Sequence, residues 1–211
     1  MDSKQNFKTL DITVFDFCKT LVNVESADKF CIFALREEKR FFFLVIGVLI
    51  TSKPIRILLN IFGVKIKFIL LNLLRGISKE KLEKIAKKYS KFIEENYLNL
   101  NVLNSLAEQQ KAFKKIFVIS AGYSIYIKYF LKNFNVTLLS NDFEYDKNIF
   151  TGKITGIDCY GKEKLKRLKK ELNNYKEFKI SSSYSDSFSD MPIFDISIKK
   201  FLVLNGEIRS L

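Results

Sequence analysis

The chain has 211 residues, enough for one ordinary domain or for one domain carrying a modest insertion. At 47% hydrophobic and 14% aromatic it can build a packed core, which excludes wholesale disorder, and the absence of histidine excludes Ser-His-Asp and Cys-His hydrolases, His-ligated zinc or haem, and imidazole acid/base chemistry. The net charge of +13 favours anionic partners such as phosphorylated metabolites, nucleic acid or acidic lipid, unless it reflects a general bias toward Lys, Asn, Ile and Phe.

Residues 1–10 carry no apolar run of the kind a signal peptide needs, so no leader is expected there. Residues 10–17 (LDITVFDF) read as a short buried strand ending in an acidic residue, Asp16. A segment of different character comes next. Residues 27–50 and 55–74 are strongly apolar. Over 78–97, Leu82, Ile85, Ala86, Tyr89, Phe92 and Ile93 recur at three- and four-residue spacing opposite Lys and Glu, with Ser78 as a fair helix start. The whole of 23–97 is expected to be a helical insertion. The run 41–50 is too short to span a bilayer, which takes about twenty residues, and Lys53, Pro54, Arg56, Lys65 and Lys67 break up the apolar residues beyond it. A buried helix of an all-helical cap is the expected reading; a basic, apolar interfacial pair making peripheral membrane contact through 41–74 is the alternative.

Beyond the insertion, residues 116–119 predict a second buried strand that stops at Ser120-Ala121-Gly122 and leads into a helix over 123–133. Further strands are predicted over 136–139, 178–183 and 201–204, and a basic helix opens at Gly161 and runs through Lys170. Strands alternating with helices predict an α/β fold with a parallel sheet. In such sheets ligands bind outside the carboxyl ends of the strands, and Asp16, Ser120 and Asp186 all fall just past predicted strand ends. Cys18, Cys31 and Cys159 are odd in number and form no CxxC pair, so neither a disulfide scaffold nor a thiolate metal site is expected, and a reducing cytoplasm fits best.

Four segments carry candidate chemistry, each with a plainer reading beside it. Asp16, with Thr20 four positions on, suits a nucleophile with a phosphate-binding neighbour, or a carboxylate capping a helix. Ser120, with Ala121 and Gly122 behind it, offers a hydroxyl and backbone N–H groups to a phosphate oxygen, or is an ordinary N-cap. In Gly161-Lys162-Glu163-Lys164 the functional reading needs one lysine, Lys164, to face the site while the others face water. Asp186 and Asp190 lie at four-residue spacing after a predicted strand, which suits a hard cation preferring oxygen ligands, or a Ser-rich surface loop.

In this order, Asp16-Phe17-Cys18-Lys19-Thr20, Ser120, Gly161 to Lys164 and Asp186 to Asp190 resemble the D-x-D-x-T, strand-end Ser/Thr, G-x-x-K and D-x-x-x-D motifs of the haloacid dehalogenase-like superfamily, in particular its phosphoserine phosphatase-like branch. The resemblance covers nearly the whole chain, because Leu74-Arg75-Gly76-Ile77-Ser78 and the helix after it look like that branch's cap. It implies a Rossmann-like doubly wound core from residues 1–22 and 98–211, with a helical cap, 23–97, inserted after the first strand.

The roles it implies are specific. Asp16 would accept phosphate as an aspartyl-phosphate; Ser120 and Lys164 would hold and neutralise the phosphoryl group, with Thr20, Ala121 and Gly122 beside it. Asp16, Asp186 and the backbone carbonyl of Cys18 would hold Mg²⁺, and Asp190 would position its water ligands or Lys164. The implied activity is Mg²⁺-dependent cytoplasmic hydrolysis of a small amino-alcohol, hydroxy-acid or sugar phosphate, with a role in surface-polysaccharide precursors suggested. A phosphotransferase with a long-lived phospho-Asp16, or a non-catalytic phosphate-binding or membrane-docked protein, are the alternatives. Nucleic acid is not an expected partner, since the basic residues are spread along the chain, and the oligomeric state is open.

One position departs from the family pattern. The second Asp of the first motif, the general acid/base, is Cys18 here. General acid–base catalysis contributes about 10²–10⁴ in rate, or roughly 3–5 kcal/mol of barrier. A thiol among carboxylates is a weak acid and a poor base at neutral pH.

Overall fold

The computed structural model describes residues 10–112, 114–173, 175 and 177–211; the segment 1–9, part of the stretch in which no leader is expected, lies outside the described residues. The strands are β1 (Leu10–Phe15), β2 (Lys115–Tyr123), β3 (Thr137–Asn141), β4 (Phe143–Asp146), β5 (Ile149–Ile154), β6 (Phe178–Ser185), β7 (Ser197–Leu204) and β8 (Glu207–Ser210). Six of them form one sheet in the order β3-β2-β1-β6-β7-β8, parallel except for β8, while β4 and β5 pair as a separate antiparallel hairpin. Between β1 and β2 come α1 (Ser26–Glu37), α2 (Phe41–Thr51), α3 (Lys53–Ile61), α4 (Ile66–Leu73), α5 (Lys79–Asn96) and α6 (Leu100–Lys111). The remaining helices are α7 (Ser124–Phe130), α8 (Lys162–Glu171) and the short α9 (Met191–Phe194).

Side chains alternate across a strand, and that period sorts the core into two layers. Ile12 and Val14 of β1 and Phe117 and Ile119 of β2 pack with Leu168 of α8 and Ile193 of α9. Ile116 and Val118 point the other way, into a core shared with Val102 and Leu106 of α6. The result is the predicted doubly wound α/β fold. The chain steps outward from β1 through β2 to β3, then returns across β1 to β6 and β7. The strand order therefore reverses beside β1, where such sheets open a binding crevice.

The helix α5 forms as its periodicity predicts. Ser78 caps it, accepting from the Lys81 amide at 3.4 Å, and Leu82, Ile85, Ala86, Tyr89 and Ile93 are buried. Tyr89 meets Phe30 of α1 at 5.3 Å and Tyr126 of α7 at 5.2 Å, both edge-on, and Phe30 stacks on Tyr126 at 5.1 Å. Phe17, just beyond β1, meets Phe130 of α7 edge-on at 5.1 Å. These aromatic contacts pin the inserted helices over the end of the central strand.

Several expectations need correction. The run 41–50 is helical but not buried: only Gly47 is buried in α2, and no residue of α3 is. The two helices bend by 72° at Ser52, so the pair touches the molecule along one edge, where Gly47 lies against Ile32, Leu35 and Leu70. Among the described residues no single helix is long and apolar enough to cross a membrane. The β4–β5 hairpin, β8 and α6 are not foreseen from the sequence. The strands also run further than predicted, β2 to Tyr123, β6 to Ser185 and β7 back to Ser197.

The hairpin packs against α4 through Gly152, whose φ is +85° and whose added Cβ would meet the Asn72 Cα at 3.2 Å. Left-handed backbone and a close backbone approach both disfavour a side chain there. Gly152→Ala is expected to cost about 1–3 kcal/mol, read as a lower urea midpoint. An unchanged midpoint would show that the hairpin is free to move off α4.

Candidate active site

The C-terminal ends of β1, β2 and β6 open into a cleft of about 530 Å³ lined by Asp16, Cys18, Ser120, Ala121, Lys164, Asp186 and Asp190. Asp16 sits one residue past β1, its amide donating to the Tyr184 carbonyl at 2.9 Å. Lys164 reaches it from the first turn of α8. Gly161, at φ 57° and ψ −126°, supplies a conformation closed to other residues, and the Lys164 amide closes the turn on the Gly161 carbonyl at 3.1 Å.

The Lys164 ammonium donates to Asp16 Oδ1 and to Asp190 Oδ2, each at 2.7 Å, and all three side chains are buried. Ser185 donates to the same Asp190 oxygen at 2.6 Å. Burial pushes the Asp16 carboxyl up to about 7, against the pull of Lys164. Burial alone would lower Lys164, but Asp16 and Asp190 hold it above its ordinary value. The ammonium is thus a fixed positive charge beside the candidate nucleophile.

Ser120 is fully buried and its Oγ accepts from the Gly122 amide at 2.9 Å, which leaves the hydroxyl proton to donate outward. Two predicted phosphate neighbours are corrected by the same geometry. The Gly122 amide is taken by Ser120, and an added Cβ at Gly122 would meet the Tyr126 hydroxyl at 2.7 Å, so the glycine serves close packing and does not line the cleft. Thr20 does not line it either. Its hydroxyl donates to Asp16 Oδ2 at 3.5 Å and accepts from the Asp186 amide at 3.1 Å, tying the first motif to the last.

Cys18 lines the same cleft, close to Asp16. Its Sγ lies 2.9 Å from Ser26 Oγ, which lies 2.7 Å from the Tyr126 hydroxyl, while Tyr89 donates to the Ser26 carbonyl at 2.7 Å. Burial, with Asp16 close by, pushes the thiol up to about 11, so it stays protonated at neutral pH.

The donors facing the cleft suit Mg²⁺. Asp16 and Asp186, both lining the cleft, carry carboxylates, Asp190 Oδ1 is buried without a hydrogen-bond partner, and the family resemblance adds the Cys18 backbone carbonyl. Among the described residues no three His, Cys, Asp or Glu side chains are gathered tightly enough to hold a metal by themselves, so a carbonyl and water must complete any set. Asp190 Oδ2 accepts from both Lys164 and Ser185, which makes this carboxylate the lysine's anchor.

The rim contains residues that sequence reasoning missed. Lys67 of α4 donates to the Ala121 carbonyl at 2.6 Å and to Asp158 at 2.5 Å, and Asn141 donates to the same two oxygens at 2.9 and 2.8 Å. Arg56 of α3 pairs with Asp28 of α1 at 2.5 Å, and both line the cleft. In the sequence these cations only interrupt apolar runs; nothing in their spacing marks them as site residues.

A strand-end carboxylate clamped by a helix lysine, at the switch point of a parallel sheet, defines an anion-handling α/β protein. A family model described as haloacid dehalogenase-like hydrolase matches residues 13–195, and the chain belongs to that family. No curated protein matches it by sequence. Among solved structures, a Bordetella pertussis Tohama I protein of unknown function aligns at TM-score 0.72 and 20% identity, covering 89% of this chain and 86% of its own. A substrate-bound phosphoserine phosphatase aligns at 0.59 and 19%, covering 92% and 85%, and a phospho-aspartyl intermediate analogue of phosphoserine phosphatase at 0.57 and 19%, covering 92% and 86%. The chain therefore has the fold of the phosphoserine phosphatase-like branch.

Lys164→Met would leave Asp16 and Asp190 buried without their counter-charge, and should cost about 3–5 kcal/mol in urea unfolding at neutral pH. A loss below about 1 kcal/mol would mean that water or another cation already screens the pair.

Proposed function

We propose that this chain is a Mg²⁺-dependent phosphatase that hydrolyses a phosphomonoester through a phosphoryl group carried on Asp16. The observation that carries the reading is the buried Lys164 ammonium, 2.7 Å from Asp16, in one cleft with Ser120 and Asp186. Phosphoryl transfer asks a protein chiefly for positioning and positive charge, and these groups supply both. Bound Mg²⁺, held by Asp16, Asp186 and the Cys18 carbonyl, would neutralise the phosphoryl oxygens. Ser120 and Lys164 orient those oxygens, and Asp16 attacks phosphorus as the ester P–O bond breaks. The leaving oxygen takes the proton of the Cys18 thiol, which the attacking water later restores. Water then cleaves the aspartyl-phosphate, releasing inorganic phosphate and restoring Asp16.

The cap division at residues 23–97, a small amino-alcohol, hydroxy-acid or sugar phosphate as substrate, a cytoplasmic setting and a role in surface-polysaccharide precursors belong to the same proposal. They rest on the resemblance of the motifs. Cys18 favours one variation. A thiol held near 11 gives its proton reluctantly and cannot activate water well, so the phospho-Asp16 form should persist longer than a carboxylate neighbour would allow.

Asp16→Asn is expected to abolish Mg²⁺-dependent phosphate release, and EDTA should do the same to the unmodified chain. Release that survives the substitution would remove Asp16 from the chemistry. A second expectation concerns the leaving group: kcat/KM for aryl phosphates should exceed that for alkyl phosphates by about 10²-fold or more, and Cys18→Asp should narrow the gap. Equal rates with both esters would point to a proton donor other than Cys18.

A further inference from the structure

The helix α3 presents two chemically opposite sides. Arg56 and Asn60 line the Asp16 cleft, whereas Ile57, Leu58 and Ile61 are 63%, 53% and 75% exposed. The apolar surface continues onto α2 through Phe41, Phe42 and Leu49. Exposed aromatic and branched side chains gathered on neighbouring helices mark an interaction surface.

Charge identifies the occupant. From Lys39 to Lys79 the chain carries eight Lys or Arg and no Asp or Glu. Lys39 precedes α2, Lys53 stands at the bend and Lys65 follows α3, all three exposed, so cations flank the ends of both helices. Apolar helices rimmed by cations are built for an anionic lipid surface. A second copy of this chain would instead set like charges against like. At 11 and 9 residues neither helix can span a bilayer, and the 72° bend suits a pair lying in the interface.

We infer that α2 and α3 dock on an anionic bilayer surface, and that the phosphoryl group entering the Asp16 cleft belongs to a phosphomonoester lipid held in that surface. This rests on the phosphatase reading and replaces the small soluble phosphomonoester that the motifs imply with a lipid one. Because α3 borders the cleft with one side and meets lipid with the other, docking brings the cleft rim, with Asn60 and Lys65 exposed upon it, to the level of the headgroups.

The test sediments the full chain with phosphatidylcholine vesicles, with and without phosphatidylglycerol. Binding should rise at least about 10-fold with the anionic lipid, weaken in high salt, and be lost in a Phe42→Asp/Ile61→Asp variant. Neither residue lines the cleft, so that variant should hydrolyse a soluble aryl phosphate at the unmodified rate, which also reports correct folding. In a second arm, kcat/KM for dioleoyl phosphatidate in the anionic vesicles should exceed that for glycerol 3-phosphate by about 10²-fold, and the variant should lose the preference.

Absence of vesicle binding, or binding indifferent to lipid charge, overturns the docking. A concentration-dependent dimer in light scattering, dispersed by the same variant and without vesicle binding, gives the surface to a second copy. Binding without preference for the lipid phosphate overturns the substrate class alone. Binding with no phosphomonoester hydrolysed, soluble or lipid, overturns the phosphatase reading and the substrate with it, while the docking stands.

Discussion

A buried ammonium between two buried carboxylates is the constraint around which the catalytic end of this molecule is arranged. Lys164, in the first turn of α8, touches Asp16 just past β1 and Asp190 beyond β6 at equal distance. Burying charges this deeply is tolerable only when every one has its partner. The local structure therefore converges on holding the triad: a glycine turn that starts α8 where the lysine can reach, a Ser185 hydroxyl on Asp190, and Thr20 joining the Asp16 carboxylate to the Asp186 backbone. Burial pushes the Asp16 carboxyl up even beside Lys164, so further positive charge in the cleft would favour its ionised form.

Cys18 changes the balance of that cluster. A carboxylate in its place would add a third acid beside Asp16 in a poorly solvated space. The thiol, neutral and joined to the hydroxyls of Ser26 and Tyr126, adds none. At neutral pH the thiol therefore adds no negative charge to the cleft.

The sheet and the four motifs are legible in the sequence because each strand is a short apolar run with a functional residue at its end. Asp16, Ser120, Lys164 and Asp186 can be placed in one cleft on that basis. The β4–β5 hairpin cannot, because its turn is made by Lys147 and Asn148, both at positive φ, without the glycine that usually announces such a turn. β8 carries the ordinary signal, Asn205-Gly206, but its four residues alternate too briefly to stand out. The exposure of α2 escapes the sequence for a different reason. Periodicity separates helix faces only when one face is polar, and a run such as FFFLVIGVLI has none, so sequence alone cannot say whether protein or something else surrounds it.

Lys67 and Asn141 hold the same pair of oxygens, the Ala121 carbonyl and Asp158, from opposite sides of the chain: one from an inserted helix, the other from the end of β3. The loop beyond Ser120 is thereby shaped in part by a residue of the insertion above it. Exchange of this insertion for one of different sequence would leave Asn141 alone to hold Asp158 and loosen the loop at its hinge with the strand. Lys67 thus couples α4 to the loop beyond Ser120, and a recombinant that separates the two would lose that contact.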